Sequence, residues 1–399
     1  MAKGHKKKFE LLAPAGDFPM LVSAVNAGAD AVYFGLQDFN MRDTAKNFKI
    51  SDLKKIEQLC KSKKVKRYLT LNTIIYSNEL AKIEQIIRQV KNKVDAIICW
   101  DLAIVQLCKK YKIPFHISTQ ASVSNLEAAK FYKRLGAERI VLAREVNLKQ
   151  IKEISKILPI ECFCHGAMCV SISGRCFTSQ FLFNKSANRG RCLQPCRRSY
   201  FVKDENGREL RVQNNKIFSA KDLCTLPFLD KLKGSGITAF KIEGRNRDAR
   251  YVDVVVRVYR QALDKKLTQK ELAKSLKQLS KIYNKGFSSG FYLRPPTNDD
   301  FSKIEHSSAT EKKAFVGKIL HYYPKIKVAT LKIIDNSIKL GDKIVIIGKT
   351  TGIVYANINR IEMHKKPVKT AKQGNEIGVR ITSLVRKNDE VYLIKRVKK

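Results

Sequence analysis

Residues 9–36 read FELLAPAGDFPMLVSAVNAGADAVYFGL. Phe9–Ala13 is a short apolar run suited to a buried strand, and Pro14 and Gly16 end it. Met20–Ala27 then carries apolar residues at helical spacing, and Ala31–Phe34 is a second apolar run. A strand, a helix and another strand in so few residues form the unit from which parallel sheets are built.

The unit recurs. Strands are read at Tyr68–Ile75, Ala96–Cys99, Phe115–Ser118, Ile140–Leu142, Ile160–Phe163 and Ala239–Ile242. Helical patterns lie between them at Glu79–Val90, Leu126–Leu135, Leu148–Ile157 and Val252–Leu263. Eight strands alternating with helices predict an α/β fold of the (β/α)8, or TIM, type over residues 1–290. An open doubly wound sheet is the alternative, and the strand count and the lack of a GxGxxG turn after the first strand favour the barrel. Residues 266–290 read as a closing helix followed by the glycine-rich NKGFSSGFY. Residues 291–312, with paired prolines and no periodicity, read as a linker. From 313 to 399 short alternating strands are separated by turns such as Asp335-Asn336 and Asn388-Asp389, which predicts a small all-β barrel.

Between strands seven and eight the pattern breaks. Residues 164–222 hold cysteines, glycines and a basic polar stretch, and a βα loop of that length is uncommon unless it carries function. The insertion leaves from the C-terminal mouth of the barrel, where active sites of this fold sit.

Lys and Arg number 78 against 36 acidic residues, a formal net charge of +42 spread along the whole chain. Such an excess predicts a polyanionic partner, because each neutralised phosphate releases counterions; a lysine-rich proteome is the plain alternative. No apolar run is long enough to span a membrane, and the basic N-terminus has no adequate apolar segment after it. The expectation is a cytoplasmic protein.

Of the ten cysteines, Cys169, Cys176, Cys192 and Cys196 are spaced C-x6-C-x15-C-x3-C inside the insertion. In a reducing compartment that means metal or catalysis more often than disulfides. The first pair is too wide for a zinc knuckle, and irregular spacing suits an iron–sulfur cubane. Arg175, Arg191, Arg197 and Arg198 surround the set and favour thiolates. Zinc or free thiols stay open, Cys162 and Cys164 are spare, and Cys224 is an alternative fourth ligand.

Strand seven ends in Glu161-Cys-Phe-Cys-His165, whose alternation aims Glu161, Phe163 and His165 to one side, expected to be the interior. Strand eight ends with Lys241, Glu243 and Arg245 alternating, three charges that are costly in a barrel unless paired or used on a ligand. These five are the candidate catalytic residues, set against the plain reading of His165 as a satisfied core polar group. Asn72 and Thr73, Gln120, and Arg144 and Glu145 follow other strands; Asn72, Gln120 and Arg144 are the candidate substrate-binding residues. Ala13–Asp17, APAGD, is a glycine turn that can meet an anion at a helix start. No HExxH, GxSxG or phosphate-loop motif occurs, so peptide hydrolysis has no recognisable machinery.

Taken together, ELLAPAGD, NAGADAVYFGLQDFNMRDTAKNF, STQASVSN, GAMCVSISGRCFTSQ with NRGRCLQPC, and LKGSGITAFKIEGRNRDARYV resemble the collagenase-like peptidase family, number thirty-two of those with unknown mechanism. The C-terminal region is similar to domain two of elongation factor Tu, which marks one branch. That resemblance implies a 4Fe-4S cluster on Cys169, Cys176, Cys192 and Cys196. It also implies tRNA as partner, and 5-hydroxylation of the wobble uridine with prephenate or a derived metabolite as co-substrate. Sister branches hydroxylate a ribosomal RNA cytidine or the ubiquinone ring. A peptidase and a non-catalytic RNA-binding iron–sulfur protein are the rival expectations.

Overall fold

The computed structural model describes residues 9–201, 203–209, 218–304 and 306–397. Its first half repeats the strand–helix unit: β1 (Glu10–Ala15), α1 (Phe18–Ala27), β2 (Ala31–Gly35), α2 (Leu53–Ser62), β3 (Lys66–Thr70), α3 (Leu80–Val90) and β4 (Ala96–Cys99). The series goes on with α4 (Leu102–Tyr111), β5 (Phe115–Ile117), α5 (Leu126–Arg134), β6 (Arg139–Val141), α6 (Leu148–Ile154) and β7 (Ile160–Gly166). Within the insertion lie α7 (Thr178–Phe183) and β8 (Asp222–Cys224), followed by α8 (Leu229–Lys233), β9 (Ala239–Ile242), α9 (Ala249–Asp264), α10 (Gln269–Leu279) and β10 (Phe287–Ser288).

Strands β1 to β7 pair in order and in parallel, and β9 bonds to both β7 and β1, which closes an eight-stranded barrel. The helices start where side chains can cap them. Asp17 accepts from the Met20 amide and Asp248 from Tyr251, while Thr268 and Glu271 form a reciprocal capping box. Asp17 thus occupies the N-terminus that the APAGD turn was expected to offer an anion. Apolar faces of the helices and outward faces of the strands form one core, with Leu11, Phe34, Phe240 and Tyr259 fully buried.

Two expectations change. β8 was absent from the reading because only three residues of it pair, Asp222–Cys224, and they run antiparallel to β7 at the end of the insertion. The stretch read as a linker is held to the barrel by contacts of its own. Tyr292 is buried and donates to the Phe163 carbonyl at 2.7 Å, while Lys221 and Ser302 amides bond the Asp300 and Ser219 carbonyls. A polar, proline-rich segment satisfies its backbone there by bridging to the returning insertion, which hydropathy does not encode.

The C-terminal region is an antiparallel all-β region of ten strands. They are β11 (Glu311–Tyr323), β12 (Val328–Ile333), β13 (Ile338–Lys339), β14 (Lys343–Gly348), β15 (Gly352–Asn357), β16 (Ile361–Met363), β17 (Lys366–Pro367), β18 (Thr370–Ala371), β19 (Glu376–Arg380) and β20 (Glu390–Arg396). Eight of them run in the order β15-β14-β20-β11-β12-β19-β16-β17, and β13 pairs with β18. This region has a separate core, including Val316, Leu331, Ile346 and Val391. It docks through β15 on α1, where Gly352 sits at φ +70° with Val22 so close that a Cβ would lie 2.7 Å away. No helix of the described residues is long and apolar enough to cross a membrane.

Candidate active site at the barrel mouth

Interior-facing side chains stack in layers. The lowest layer is unusually polar. Glu161 has no exposure, accepts from Lys241 Nζ at 2.7 Å and from Arg139 Nη1 at 3.2 Å, and Arg139 also bonds Glu10 at 2.5 Å. Burial works against the Arg139 charge, yet the Glu161 and Glu10 carboxylates hold its pKa above the ordinary value. Burial pulls Lys241 down, with Glu161 opposing. Lys241 also lies 4.6 Å from the Tyr33 ring centroid and 5.5 Å from that of Phe163.

Above this layer the barrel opens into a cavity of about 460 Å³. Its floor and walls include Tyr33, Thr70, Phe163, Lys241, Glu243 and Arg245 from strands or strand ends. Arg245 donates to Thr70 Oγ1 at 3.0 Å, and burial draws its guanidinium down to about 10. Burial raises the Glu243 pKa, but Arg42, Arg247 and Arg144 more than offset that and hold the carboxyl below its usual range, with Arg42 at 3.3 Å. Arg144 stacks over Phe163 at 3.9 Å and donates to the Ala167 carbonyl at 2.6 Å. Asn72 donates to Gln120 Oε1 at 3.3 Å and accepts from the Met41 amide, and Ser118 hydrogen-bonds Gln120. Asn72, Gln120 and Arg144 therefore share the cavity with Lys241, Glu243 and Arg245. Thr73 and Glu145 are not among its lining residues.

The insertion roofs this cavity. Gly190 packs on the loop after β2, where a Cβ would come within 2.3 Å of the Asn40 carbonyl oxygen, and Arg191 pairs with Asp43 at 2.7 Å. Arg189 pairs with Glu79 beyond β3. Internally, the Cys176 amide donates to Asn188 Oδ1 at 2.9 Å and the Leu193 amide to Ser179 Oγ at 3.1 Å, joining the two halves of the cysteine loop. Cys169, Cys176, Cys192 and Cys196 all line the cavity. Burial pushes the Cys196 thiol up to about 11, and Cys169, Cys192 and Cys176 each add to that. The Gln194 amide donates to Cys192 Sγ at 3.4 Å. Among the described residues, no three His, Cys, Asp or Glu side chains are gathered round one point as a single ion requires.

Two candidates fall elsewhere. Cys224 is buried on β8, where Tyr259 donates to its sulfur at 3.8 Å, and it does not line the cavity. His165 is not an interior partner of Glu161. A register irregularity between Phe163 and His165 sets His165 opposite Ile242 rather than on the Lys241 side. The ring turns outward among Tyr251, Tyr259 and Phe287, with Nδ1 3.3 Å from the Tyr259 hydroxyl. Strict alternation predicted the wrong side because one bulge residue reverses it.

Burial there holds His165 neutral, with its pKa lowered from 6.5 to about 3. The unfolded chain binds that proton first, so stability is complete above pH 6.5 and falls as the pH drops from 6.5 towards 3. Denaturation midpoints across this window are expected to show a contribution of about 1.4 kcal/mol per pH unit that His165→Gln removes. An unchanged pH slope in the variant would place the acid sensitivity elsewhere.

Arg42, Tyr33, Thr70 and Ser118 are among the site residues that the sequence reading did not single out, and Phe163 was read only as facing the interior. Tyr33 lies in an apolar strand run, and Arg42 lies in a loop with no periodicity to place it; only its position shortly after a barrel strand marks it.

A closed (β/α)8 barrel with a cationic floor and a four-thiol roof defines a barrel protein with a covered, charge-lined pocket. Residues 16–302 match the family described as Peptidase family U32, and the chain belongs to that family. It is 38% identical over 404 residues to a protein of Porphyromonas gingivalis named Collagenase, covering 96% of this chain and 97% of that one. It is 34% identical over 356 residues to tRNA hydroxylation protein P1 of Bacillus subtilis, covering 86% and 84%. A third relative, an Escherichia coli 23S rRNA 5-hydroxycytidine synthase, is 39% identical over 260 residues, 64% of this chain and 39% of that protein.

Proposed function

We propose that this protein is an RNA-modifying enzyme that hydroxylates C5 of a pyrimidine, in particular the wobble uridine of tRNA, with prephenate or a derived metabolite as co-substrate. The observation that supports this most is the single cavity of about 460 Å³ in which a cationic floor faces a thiol roof. A ring atom of a stacked base is out of reach, so the pyrimidine enters the mouth flipped out, and Asn72, Ser118 and Gln120 offer donors and acceptors for its edge. Arg144, Lys241 and Arg245 give a carboxylate-bearing co-substrate its counter-charges, and Glu243 is the ionised carboxylate within reach of both. Arg42 holds Glu243 ionised, which suits it to accept a hydrogen bond from a ring N–H of the base.

The roof fits an iron–sulfur cluster in donor type and number, with four thiols lining the cavity and a backbone amide on Cys192. Cys169, Cys176, Cys192 and Cys196 would hold it. When bound, a 4Fe-4S group would supply one-electron chemistry beside the pocket. Against hydrolysis of peptides by a histidine-activated nucleophile, no histidine lines the cavity among the described residues, and His165 faces away from it.

The test is mass-spectrometric nucleoside analysis of tRNA and ribosomal RNA from cells with and without the gene. Loss of a 5-hydroxyuridine-derived nucleoside from tRNA is the expected result. Loss of 5-hydroxycytidine from ribosomal RNA alone would move the substrate. No change in either, together with gelatin cleavage by the purified protein, would restore the peptidase reading.

A further inference from the structure

From Cys169 to Tyr200 the chain carries six cations, Arg175, Lys185, Arg189, Arg191, Arg197 and Arg198, and no carboxylate. Three are engaged: Arg189 with Glu79, Arg191 with Asp43, and Arg197 with the Met168 carbonyl. Arg175, Lys185 and Arg198 are exposed, and Arg198 lies over the Phe183 ring at 4.9 Å. The same segment leaves large apolar side chains in solvent: Phe177 is 61% exposed, Phe181 85% and Leu182 57%. A cluster of that kind is unusual unless the surface is used.

Phe177 and Phe181 are one helical turn apart, with ring centroids 6.4 Å from each other. Phe177 follows Cys176 directly, and Thr178 and Ser179 of α7 line the cavity. The aromatic face is thus on the same short helix that walls the mouth.

We propose that this aromatic, cation-bearing face is a stacking platform for unpaired RNA bases, holding the nucleotides that flank the one entering the mouth; the inference rests on the RNA-modification reading above. Every base presents a π-face that an exposed phenyl ring accepts whatever the sequence, and the phosphates between bases need nearby cations. Exposed rings interleaved with Arg175, Lys185 and Arg198 meet both needs. A purely apolar protein surface would leave those cations without a role.

The platform is tested with full-length, anaerobically purified protein and two fluorescein-labelled RNAs. One is a hairpin with a pyrimidine-rich unpaired loop, and the other is a blunt duplex with the same number of phosphates. Anisotropy titration is expected to show tighter binding of the hairpin. The Phe177→Ala/Phe181→Ala variant should lose about tenfold or more in hairpin affinity and keep its duplex affinity. Arg175→Gln/Lys185→Gln should flatten the salt dependence instead, because phosphate contacts carry it.

Unchanged hairpin binding in the double phenylalanine variant, with a native thermal transition, would overturn the platform. So would equal affinity of the native protein for both RNAs, or self-association that the variant abolishes, which would assign the face to a second copy. Binding is read here without turnover. Intact, ring-dependent hairpin binding beside unchanged cellular nucleosides would therefore sink the hydroxylation reading alone.

Discussion

On the proposed cluster reading, the native protein purified anaerobically is expected to be brown, with broad absorbance near about 400 nm and about four irons with matching sulfide, and Cys176→Ser is expected to lose most of each. The target nucleoside should disappear from tRNA in cells carrying only that variant. Cys176 is one of four candidate thiols that line the cavity, and a serine hydroxyl is a hard ligand that does not replace a soft thiolate on iron. Cys224→Ser is the matched control. Its sulfur is buried beside Tyr259 and outside the cavity, so iron content should stay at the native level even if stability falls. Native iron and native modification in Cys176→Ser would remove the cluster from the proposal. Iron loss in Cys224→Ser and not in Cys196→Ser would exchange the fourth ligand.

Glu161→Ala is the second large effect. The substitution leaves Lys241 with no carboxylate partner among the described residues and Arg139 with Glu10 only, in a layer that is largely buried. Breaking a buried pair in this way costs about 3–5 kcal/mol, a large part of the net stability of a typical domain. Urea denaturation should show that loss, with the transition of the C-terminal region less affected because its core is separate. The cost comes from stranded charge, so Glu161→Leu combined with Lys241→Met should recover much of it, since an apolar pair of similar volume is often neutral or better. A loss below about 1 kcal/mol in Glu161→Ala would mean that solvent or Glu10 compensates the two cations.

Most of the barrel was legible. Phe9–Ala13, Ala31–Phe34, Ala96–Cys99 and Ala239–Ile242 fall within or almost on β1, β2, β4 and β9, because strands buried on both faces read as unbroken apolar runs. Strand β3 was read too long, to Ile75, since the loop Leu71–Ile75 is as apolar as the strand although its backbone has left the ladder. The candidate site was legible in a different way. Lys241, Glu243 and Arg245 stood out because three alternating charges do not belong in an apolar strand. The same alternation misplaced His165, because a bulge is a property of backbone pairing and leaves no mark in hydropathy.

By itself, then, the sequence determined the strand–helix alternation, the break at residues 164–222 and the cysteine-rich character of that break. These are local matters of periodicity, composition and spacing. Tertiary structure alone decided that Cys196 faces the cavity and Cys224 does not, that Glu161 is sealed between Arg139 and Lys241, and that Arg42 meets Glu243 across two loops. Residues 42 and 243 are 201 positions apart. Barrel closure through β9 brings such partners together, and a contact of that range depends on the register of every strand between them.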